Sequence, residues 1–259
     1  MKRLVVNADD FGFTQDVNEG IVEAHQHGIL TSTTLMANGG AFEDAVRLAS
    51  QNPALGVGCH LVLIGGRSVR SPHGALPSSV PRLLAAIVSG QIAIHDELSA
   101  QVRKILAAGI APTHLDTHKH THLAPPVLDA VARIAQEFDI PWVRRPFQIP
   151  FLRGRFHRAL DDRNCRTTDH FTGFRLTGRF GAPELVHLIR KLPEGTTEFM
   201  CHPGRCREEL RHAATRLKES REQELLALIA PEARQALAES HVQLTNYRDL
   251  SECGKMGLS

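Results

Sequence analysis

Two segments of this 259-residue chain concentrate side chains that can bind a metal ion or move a proton. The first is Asn7-Ala8-Asp9-Asp10-Phe11-Gly12, in which two carboxylates are adjacent. Such a pair suits a division of labour in which one carboxylate holds a divalent metal and the other takes a proton from water. The alternative is that one of the two aspartates caps the helix that follows, which is a common use of aspartate.

The second segment runs from Pro112 to His122 and places a polar residue at every second position. Its polar members are His114, Asp116, His118, His120 and His122. If the segment is extended, these side chains share one face of the strand. Such a face is costly to bury unless it binds metal or forms a hydrogen-bonded network. A catalytic metal usually takes about three protein ligands, so some of these residues must support the site, and the pattern does not choose which.

Short apolar segments alternate with amphipathic helical segments along the whole chain. Predicted strands are Leu4–Asn7, Ile29–Met36, Leu55–Leu63, Pro112–Thr117, Pro141–Arg145, Thr197–Cys201 and Val242–Asn246. Predicted helices are 16–28, 42–51, 82–89, 95–108, 126–138, 182–192 and most of 208–230, whereas 146–180 is predicted to form long loops. The alternation predicts an α/β fold with a mostly parallel sheet. Because no linker interrupts it, we expect a single domain over residues 1–259, closed or nearly closed into a barrel.

Polar residues lie in or directly after the predicted strands, near the points where these strands end. They are Asp9 and Asp10, His60, His118, Arg144 and Arg145, and His202. The carboxyl ends of the strands of a β/α barrel meet on one face, where active sites are built. We therefore expect these residues to share a pocket. Histidine ordinarily titrates near neutral pH, so His202 could protonate a leaving amine.

Composition limits the classes of function. A formal net charge of +2 does not favour nucleic acid as a partner. The five cysteines are odd in number and lack paired spacing, which predicts reduced thiols. The chain opens without a secretory pattern and lacks the roughly 18 apolar residues in a row that a membrane span needs, which predicts a cytoplasmic protein. Peripheral contact with the inner membrane and a homodimer remain open.

The motifs together resemble the YdjC/ChbG-like carbohydrate deacetylases over essentially the whole chain. They are Val6-Asn7-Ala8-Asp9-Asp10-Phe11-Gly12, Gly28-Ile29-Leu30-Thr31-Ser32-Thr33-Thr34, Asn38-Gly39, Gly58-Cys59-His60-Leu61, Thr113-His114-Leu115-Asp116-Thr117-His118 to His122, and Met200-Cys201-His202-Pro203-Gly204. The Arg144-Arg145-Pro146-Phe147 stretch looks most like the branch associated with hopanoid biosynthesis (HpnK-like).

The resemblance implies a distorted β/α (TIM-like) barrel that deacetylates an amino sugar. It implies one divalent metal, Mg or Zn, on Asp10, His60 and His118, with Asp9 as general base and His202 as general acid. It also implies that four further residues bind the substrate or support the metal ligands and catalytic residues. They are Asp116, His120, His122 and Arg145. The substrate would be a glycolipid such as a glycosylated hopanoid, or a soluble chitooligosaccharide.

Two other classes use similar residues. A metal-dependent phosphodiesterase or phosphatase usually holds two metals with bridging carboxylates, and few acidic residues beyond Asp9, Asp10 and Asp116 lie at strand ends here. A binding module without catalysis would need neither a general base nor a general acid. The 146–180 segment, rich in Phe and Arg, predicts either a lipid-binding cover or an ordinary packed loop.

Overall fold

The computed structural model describes residues 1–71, 73–145 and 153–256. These residues form eight strands: β1 Lys2–Phe11, β2 Ser32–Leu35, β3 Gly56–Leu61, β4 His114–Thr117, β5 Trp142–Val143, β6 His170–Thr172, β7 Gly195–Cys201 and β8 Val242–Leu244. The α-helices are α1 Gln15–His27, α2 Phe42–Gln51, α3 Val80–Val88, α4 Ile94–Ala107, α5 Pro125–Glu137, α6 Arg153–Asp161, α7 Ala182–Arg190, α8 Glu208–His212, α9 Glu219–Ile229, α10 Pro231–Glu239 and α11 Tyr247–Met256. Two short 3-10 helices cover His118–Leu123 and Phe174–Leu176.

The strands form one sheet in the order β5-β4-β3-β2-β1-β7-β6, with β8 also paired to β1. The β1–β7, β1–β8, β3–β4, β4–β5 and β6–β7 pairs are all parallel. Parallel strands need crossover connections, which the intervening helices supply. The predicted α/β class and parallel sheet are confirmed.

By its internal contacts the chain divides into two compact units. The first comprises Met1–Thr33, Gly40–Gly56 and Thr168–Ser259, and the second comprises Thr34–Gly39 and Val57–Thr167. The single domain over residues 1–259 stays a prediction. No helix among the described residues is long and apolar enough to cross a membrane.

In the first unit, strand β1 pairs with both β7 and β8. It pairs with β7 from Lys2–Gly195 to Ala8–Cys201, and its residues from Leu4 onward are buried. Full burial explains the apolar start of the strand, since a parallel strand covered on both faces cannot alternate polar and apolar residues. Thr14 caps α1 by accepting a hydrogen bond from the Val17 amide at 3.2 Å. Neither Asp9 nor Asp10 is therefore needed as the cap of this helix.

In the second unit, β3 and β4 fix the register of the histidine-rich segment. Their pairing places His60 directly opposite Asp116. Gly58 permits this close packing, because a Cβ atom at that position would lie 2.5 Å from the ring of His114.

The extended conformation considered for the whole 112–122 segment is wrong beyond Thr117. The chain turns into the 3-10 helix His118–Leu123, with positive φ angles of 54° at Lys119 and 51° at His120. Thr117 Oγ1 accepts a hydrogen bond from the His122 amide at 3.1 Å, and such side-chain bonds to the backbone compete with continued strand pairing. Only His114 and Asp116 of the five polar residues lie on β4.

The prediction of long loops over 146–180 is wrong for part of that segment. Residues 146–152 lie outside the described residues, but α6, β6 and a 3-10 helix occupy much of the remainder. Strand β6 pairs with β7 from His170–Thr197 to Thr172–Phe199, a contact that local sequence cannot reveal. The helical stretch predicted over 208–230 is two helices, α8 and α9, and α10 and α11 were not predicted.

Candidate active-site residues

A buried carboxylate in the second unit organises the histidines of β3 and β4. Asp116 Oδ1 lies 2.7 Å from His60 Nδ1. Its other oxygen, Oδ2, lies 2.8 Å from Arg144 Nη2 and accepts a hydrogen bond from Thr34 Oγ1 at 3.0 Å. All four side chains are buried. A charge removed from water in this way needs paired donors, and Asp116 receives them on both oxygens.

These contacts fix which nitrogen of His60 can bind a metal. Because a carboxylate accepts hydrogen bonds, Nδ1 carries the proton and Nε2 presents a lone pair. His118 Nδ1 lies 3.2 Å from His60 Nε2, and the two rings meet edge to face. Metal-binding histidines typically donate their second N–H group to a carboxylate in this way. The His60–His118 pair therefore has the donor arrangement that a divalent cation requires.

His120 and His122 lie in the turn that follows β4. His122 Nδ1 is 2.6 Å from Thr117 Oγ1, and its ring packs edge to face against His120 with the centroids 5.8 Å apart. Both side chains are buried. Their predicted role in supporting the metal ligands or binding substrate stays a prediction.

Sequence reasoning selected the second of two adjacent arginines. Arg144 is fully buried and pairs with Asp116, whereas the side chain of Arg145 is half-buried. Arg144 directly follows β5, and its amide donates a hydrogen bond to the Leu115 carbonyl of β4, which holds this residue beside Asp116. The predicted substrate-binding role of Arg145 remains untested, and Arg144 is an addition to the site.

In the first unit, Asp9 and His202 are neighbours at the carboxyl ends of β1 and β7. Asp9 Oδ2 lies 3.9 Å from His202 Nε2, and Asp9 Oδ1 accepts a hydrogen bond from Asn7 Nδ2 at 3.2 Å. The exposed fractions of Asp9 and His202 are 4% and 9%. The unit thus brings together the two residues predicted to act as general base and general acid.

Asp10 occupies an unusual backbone conformation beside Asp9. Its φ angle is +71°, in the left-handed region that non-glycine residues rarely adopt. The turn directs successive carboxylates to separate partners, since Asp10 Oδ2 accepts a hydrogen bond from the buried guanidinium of Arg221 on α9. Strain of this kind is often kept at functional sites.

Glu224, one helical turn after Arg221, holds the backbone of His202. Its carboxylate accepts hydrogen bonds from the amides of His202 at 2.5 Å and Gly178 at 2.7 Å. Burial raises the pKa of Glu224 to about 7, while both amide hydrogen bonds and Arg221 oppose the rise and Asp9 adds to it. Sequence reasoning missed Arg221 and Glu224. One feature of the sequence could have identified them. Both are charged residues that lie at helical spacing i, i+3 on the buried side of α9.

Within the second unit, His60 and His118 are suited to bind a cation. Both oxygens of Asp116 already accept hydrogen bonds, and its contact with His60 uses the nitrogen that carries the proton. His60 therefore offers Nε2, beside His118 Nδ1, to a metal ion.

Cysteine chemistry plays no part in these contacts. Among the described residues, Cys59, Cys165, Cys201 and Cys206 form no disulfide bond. Burial raises the pKa of Cys165 to about 11, and burial with the nearby Asp116 raises the pKa of Cys59 still further. Thiols with raised pKa values are poor nucleophiles and poor metal ligands.

The chain is similar to known proteins over almost its whole length. A model of the YdjC-like protein family matches residues 3–239. The chain is 36% identical to a carbohydrate deacetylase of Brevibacillus brevis, with 96% of this chain and 99% of that protein covered. It is 33% identical to a chitooligosaccharide deacetylase of Serratia marcescens, with 96% and 99% covered.

A solved structure shows the same fold. It is a proposed cellobiose-phosphate cleavage protein from Enterococcus faecalis V583, with a TM-score of 0.83 and 24% identity. The match covers 96% of this chain and 98% of that one. This likeness confirms the distorted β/α barrel predicted from the sequence.

Proposed function

This chain belongs to the YdjC-like protein family, and we propose that it hydrolyses the N-acetyl group of an amino sugar. The relatives named carbohydrate deacetylase and chitooligosaccharide deacetylase support the proposal, because the alignments span nearly both chains. The proposal is also supported by side chains of the motifs that suit base, acid and metal chemistry, namely Asp9, His202, Asp10, His60 and His118. A phosphodiesterase is less well supported, since Asp116 is already saturated by its own partners and a second metal would need further carboxylates.

We propose that Asp10, His60 and His118 hold one divalent ion, Mg²⁺ or Zn²⁺. The observation that carries this proposal is the Asp116–His60 contact, which leaves the Nε2 lone pair of His60 beside His118 Nδ1. Two imidazoles and one carboxylate suit Zn²⁺, and oxygen-rich sites open to water also accept Mg²⁺. When bound, such an ion polarises the carbonyl group and lowers the pKa of water.

The protein's own residues would move the protons of the reaction. Asp9 takes a proton from the water molecule whose oxygen attacks the acetyl carbonyl carbon. The carbon–nitrogen bond then breaks, and His202 donates a proton to the departing amine, so that acetate and the free amino sugar are released. Glu224 holds the His202 backbone through the amide hydrogen bond and thereby limits where the imidazole can point. A base and an acid in these roles typically contribute about 10²–10⁴-fold each.

The finer proposal is that the sugar is carried on a lipid, such as a glycosylated hopanoid. It rests on the resemblance at Arg144 to Phe147, of which only Arg144 and Arg145 lie within the described residues. The Phe-rich segment supports it only in part, because Phe156 and Phe180 are buried in the core, whereas Phe174 is 52% exposed. A soluble chitooligosaccharide is the second candidate, which the Serratia relative's name favours.

One assay tests the proposal and separates the candidates. Acetate release is measured from an N-acetylglucosaminyl lipid, from chitobiose and from free N-acetylglucosamine, with hydrolysis of p-nitrophenyl phosphate as the control for phosphatase chemistry. Release from any N-acetyl sugar supports the deacetylase. Faster turnover of the lipid supports the glycolipid, and faster turnover of chitobiose supports the soluble sugar. Phosphate ester hydrolysis without acetate release would overturn the proposal.

A further inference from the structure

The turn that follows β7 carries His202 and is bound by two helices at once. The Gly204 amide donates a hydrogen bond to the Arg221 carbonyl of α9 at 3.2 Å, and the Arg205 amide donates one to the Asp16 carbonyl of α1 at 2.9 Å. Loops are usually more mobile than the elements they connect. Backbone bonds to both helices restrict the mobility of this turn.

Helix α1 approaches the same turn with no side chain between the two backbones. A Cβ atom at Gly20 would lie 2.4 Å from the Cα atom of Gly204 and 2.9 Å from the Arg205 nitrogen. Only glycine at position 20 permits this approach, because any other side chain would push the turn away from the helix. Backbone contact therefore sets the distance between α1 and the residues that follow His202.

The Arg205 side chain adds a charged link between the same two helices. Its guanidinium donates two hydrogen bonds to the Glu23 carboxylate of α1, from Nε at 2.8 Å and from Nη2 at 2.5 Å. A third hydrogen bond, from Nη1 at 3.3 Å, goes to Glu222 of α9. Single ion pairs near the surface contribute little, but a forked arginine–carboxylate pair within a network is an exception. Arg205 therefore ties α1, α9 and the turn together.

A second arginine, at the start of α8, offers a contrast within the same part of the fold. Arg207 also pairs with a glutamate of α1, since its Nη1 atom donates to Glu19 at 2.6 Å. The side chains of Arg207 and Glu19 are 60% and 50% exposed, whereas those of Arg205 and Glu23 are 26% and 25% exposed. Solvent screens the outer pair more strongly than the inner pair. The inner pair is therefore the one expected to hold the turn.

The position of this turn decides how the imidazole of His202 meets Asp9. His202 Nε2 and Asp9 Oδ2 are 3.9 Å apart, which is too long for a direct hydrogen bond. This contact alone therefore does not fix the imidazole, and the backbone of the turn must contribute to its orientation. In catalysis a displacement of about 1 Å can cost on the order of 10²-fold in rate. Small movements of the turn should thus be felt at His202.

We propose that Arg205 is a positioning residue for the deacetylation. By linking α1 and α9 across the turn, it holds the His202 backbone where the imidazole can reach the departing amine. The inference rests on the proposed function, because it needs His202 as the general acid. Arg205 itself is assigned no contact with the substrate, since its guanidinium is used by Glu23 and Glu222.

Amide hydrogen exchange, followed by NMR, tests the anchoring without any turnover. In Arg205→Met the His202 and Gly204 amides should exchange about tenfold faster than in the unaltered chain, because local opening of the turn sets their rates. Arg207→Met, which removes the exposed ion pair, is the matched control and should leave both rates unchanged. Arg205→Lys should give intermediate rates, since lysine keeps the charge but lacks the planar fork.

A comparison of two leaving groups separates positioning from general damage to the fold. Acetate release from an N-acetyl sugar needs a proton on the departing amine, whereas 4-nitrophenolate leaves 4-nitrophenyl acetate without one. Arg205→Met should therefore lower kcat for the amino sugar by about 10²-fold, the cost of a misplacement of about 1 Å, with little change in KM. Its kcat for 4-nitrophenyl acetate should be unchanged. A loss of folded protein would lower both rates equally.

Glu23→Gln removes the charge of the partner and gives a second test that does not depend on the folding of Arg205→Met. It should change the exchange rates and the sugar kcat in the same direction. Unchanged exchange of the His202 amide in both variants, or an equal loss of both activities, would overturn the positioning role. Absence of acetate release from every N-acetyl sugar by the unaltered chain would count against the deacetylase alone, because the exchange measurement does not depend on turnover.

Discussion

His60 and Asp116 lie opposite each other on neighbouring parallel strands, with Nδ1 of the imidazole 2.7 Å from Oδ1 of the carboxylate. Thr34 and Arg144 occupy the second carboxylate oxygen. Asp116 therefore acts on the chemistry through His60, by fixing the proton on Nδ1 and making Nε2 the stronger donor to a cation. This contact gives His60 the orientation that its proposed role as a metal ligand requires.

Replacing Asp116 with asparagine should weaken metal binding by about 10–100-fold, the usual cost of losing a partner behind a metal-binding histidine. The amide lacks the negative charge, and its NH2 group would face donors from Thr34 and Arg144. Titration calorimetry of metal-free protein with Zn²⁺ measures the effect. Asp96→Asn, at an exposed carboxylate, is the control. Unchanged affinity in Asp116→Asn would show that His60 is not a ligand or does not need this contact.

His118→Ala should lose bound metal and acetate release together, because one of the three proposed donors is gone. His120→Ala separates this assignment from its neighbour, since the turn at His118–Leu123 gives His120 a different direction from His118. Metal per chain is measured by atomic emission after dialysis. If His118→Ala keeps a full complement of metal and His120→Ala loses it, the metal ligand is His120 and not His118.

Asp9→Asn should keep the metal and lower turnover by about 10²–10⁴-fold, the range expected for a general base. An asparagine side chain can still accept the hydrogen bond from Asn7 but cannot take a proton from water. The readouts are kcat for acetate release and metal content of the same sample. Loss of the metal in Asp9→Asn would make this residue a ligand and would require the general base to be reassigned.

Glu224 should make the protein less stable as the pH rises from about 4.5 to about 7. Its pKa is raised to about 7 by burial, so the unfolded chain loses this proton at lower pH than the folded chain. Below about pH 4.5 both states hold the proton and the cost is absent, and above about pH 7 it is complete at about 3 kcal/mol. Chemical unfolding of the unaltered chain and of Glu224→Gln across this range gives the difference. A stability difference that does not vary with pH would refute the raised pKa.

The sequence singles out candidate site residues that lie near the ends of strands. Asp9, Asp10, His60 and His202 lie in or directly after segments whose strand character is evident locally, and their roles stay predictions. The predicted strands β1, β3, β4 and β7 all exist, because buried parallel strands need continuous apolar residues. Helix α2 has the predicted bounds, Phe42–Gln51, because its apolar spacing is regular.

Other parts depend on contacts between distant residues. Arg221 reaches Asp10 across 211 positions and Glu224 reaches the His202 amide across 22, so no local pattern assigns either one. The strand β6 exists because β7 supplies its hydrogen-bond partners. The extended backbone that the period-two pattern of polar residues requires ends at Thr117, because the Thr117 hydroxyl accepts a hydrogen bond from the His122 amide and the chain turns. The sequence pattern therefore does not predict features that depend on pairing between distant residues or on side chains that bond to the backbone.

We propose that this chain removes acetate from an amino sugar with one divalent ion on Asp10, His60 and His118. The most direct test measures acetate release from N-acetylglucosamine-containing substrate by protein stripped with a chelator and then reloaded with increasing Zn²⁺ or Mg²⁺. We expect no release from stripped protein and full recovery at one ion per chain, with no recovery in His118→Ala. Undiminished release by the stripped protein, or recovery that needs two ions per chain, would contradict it.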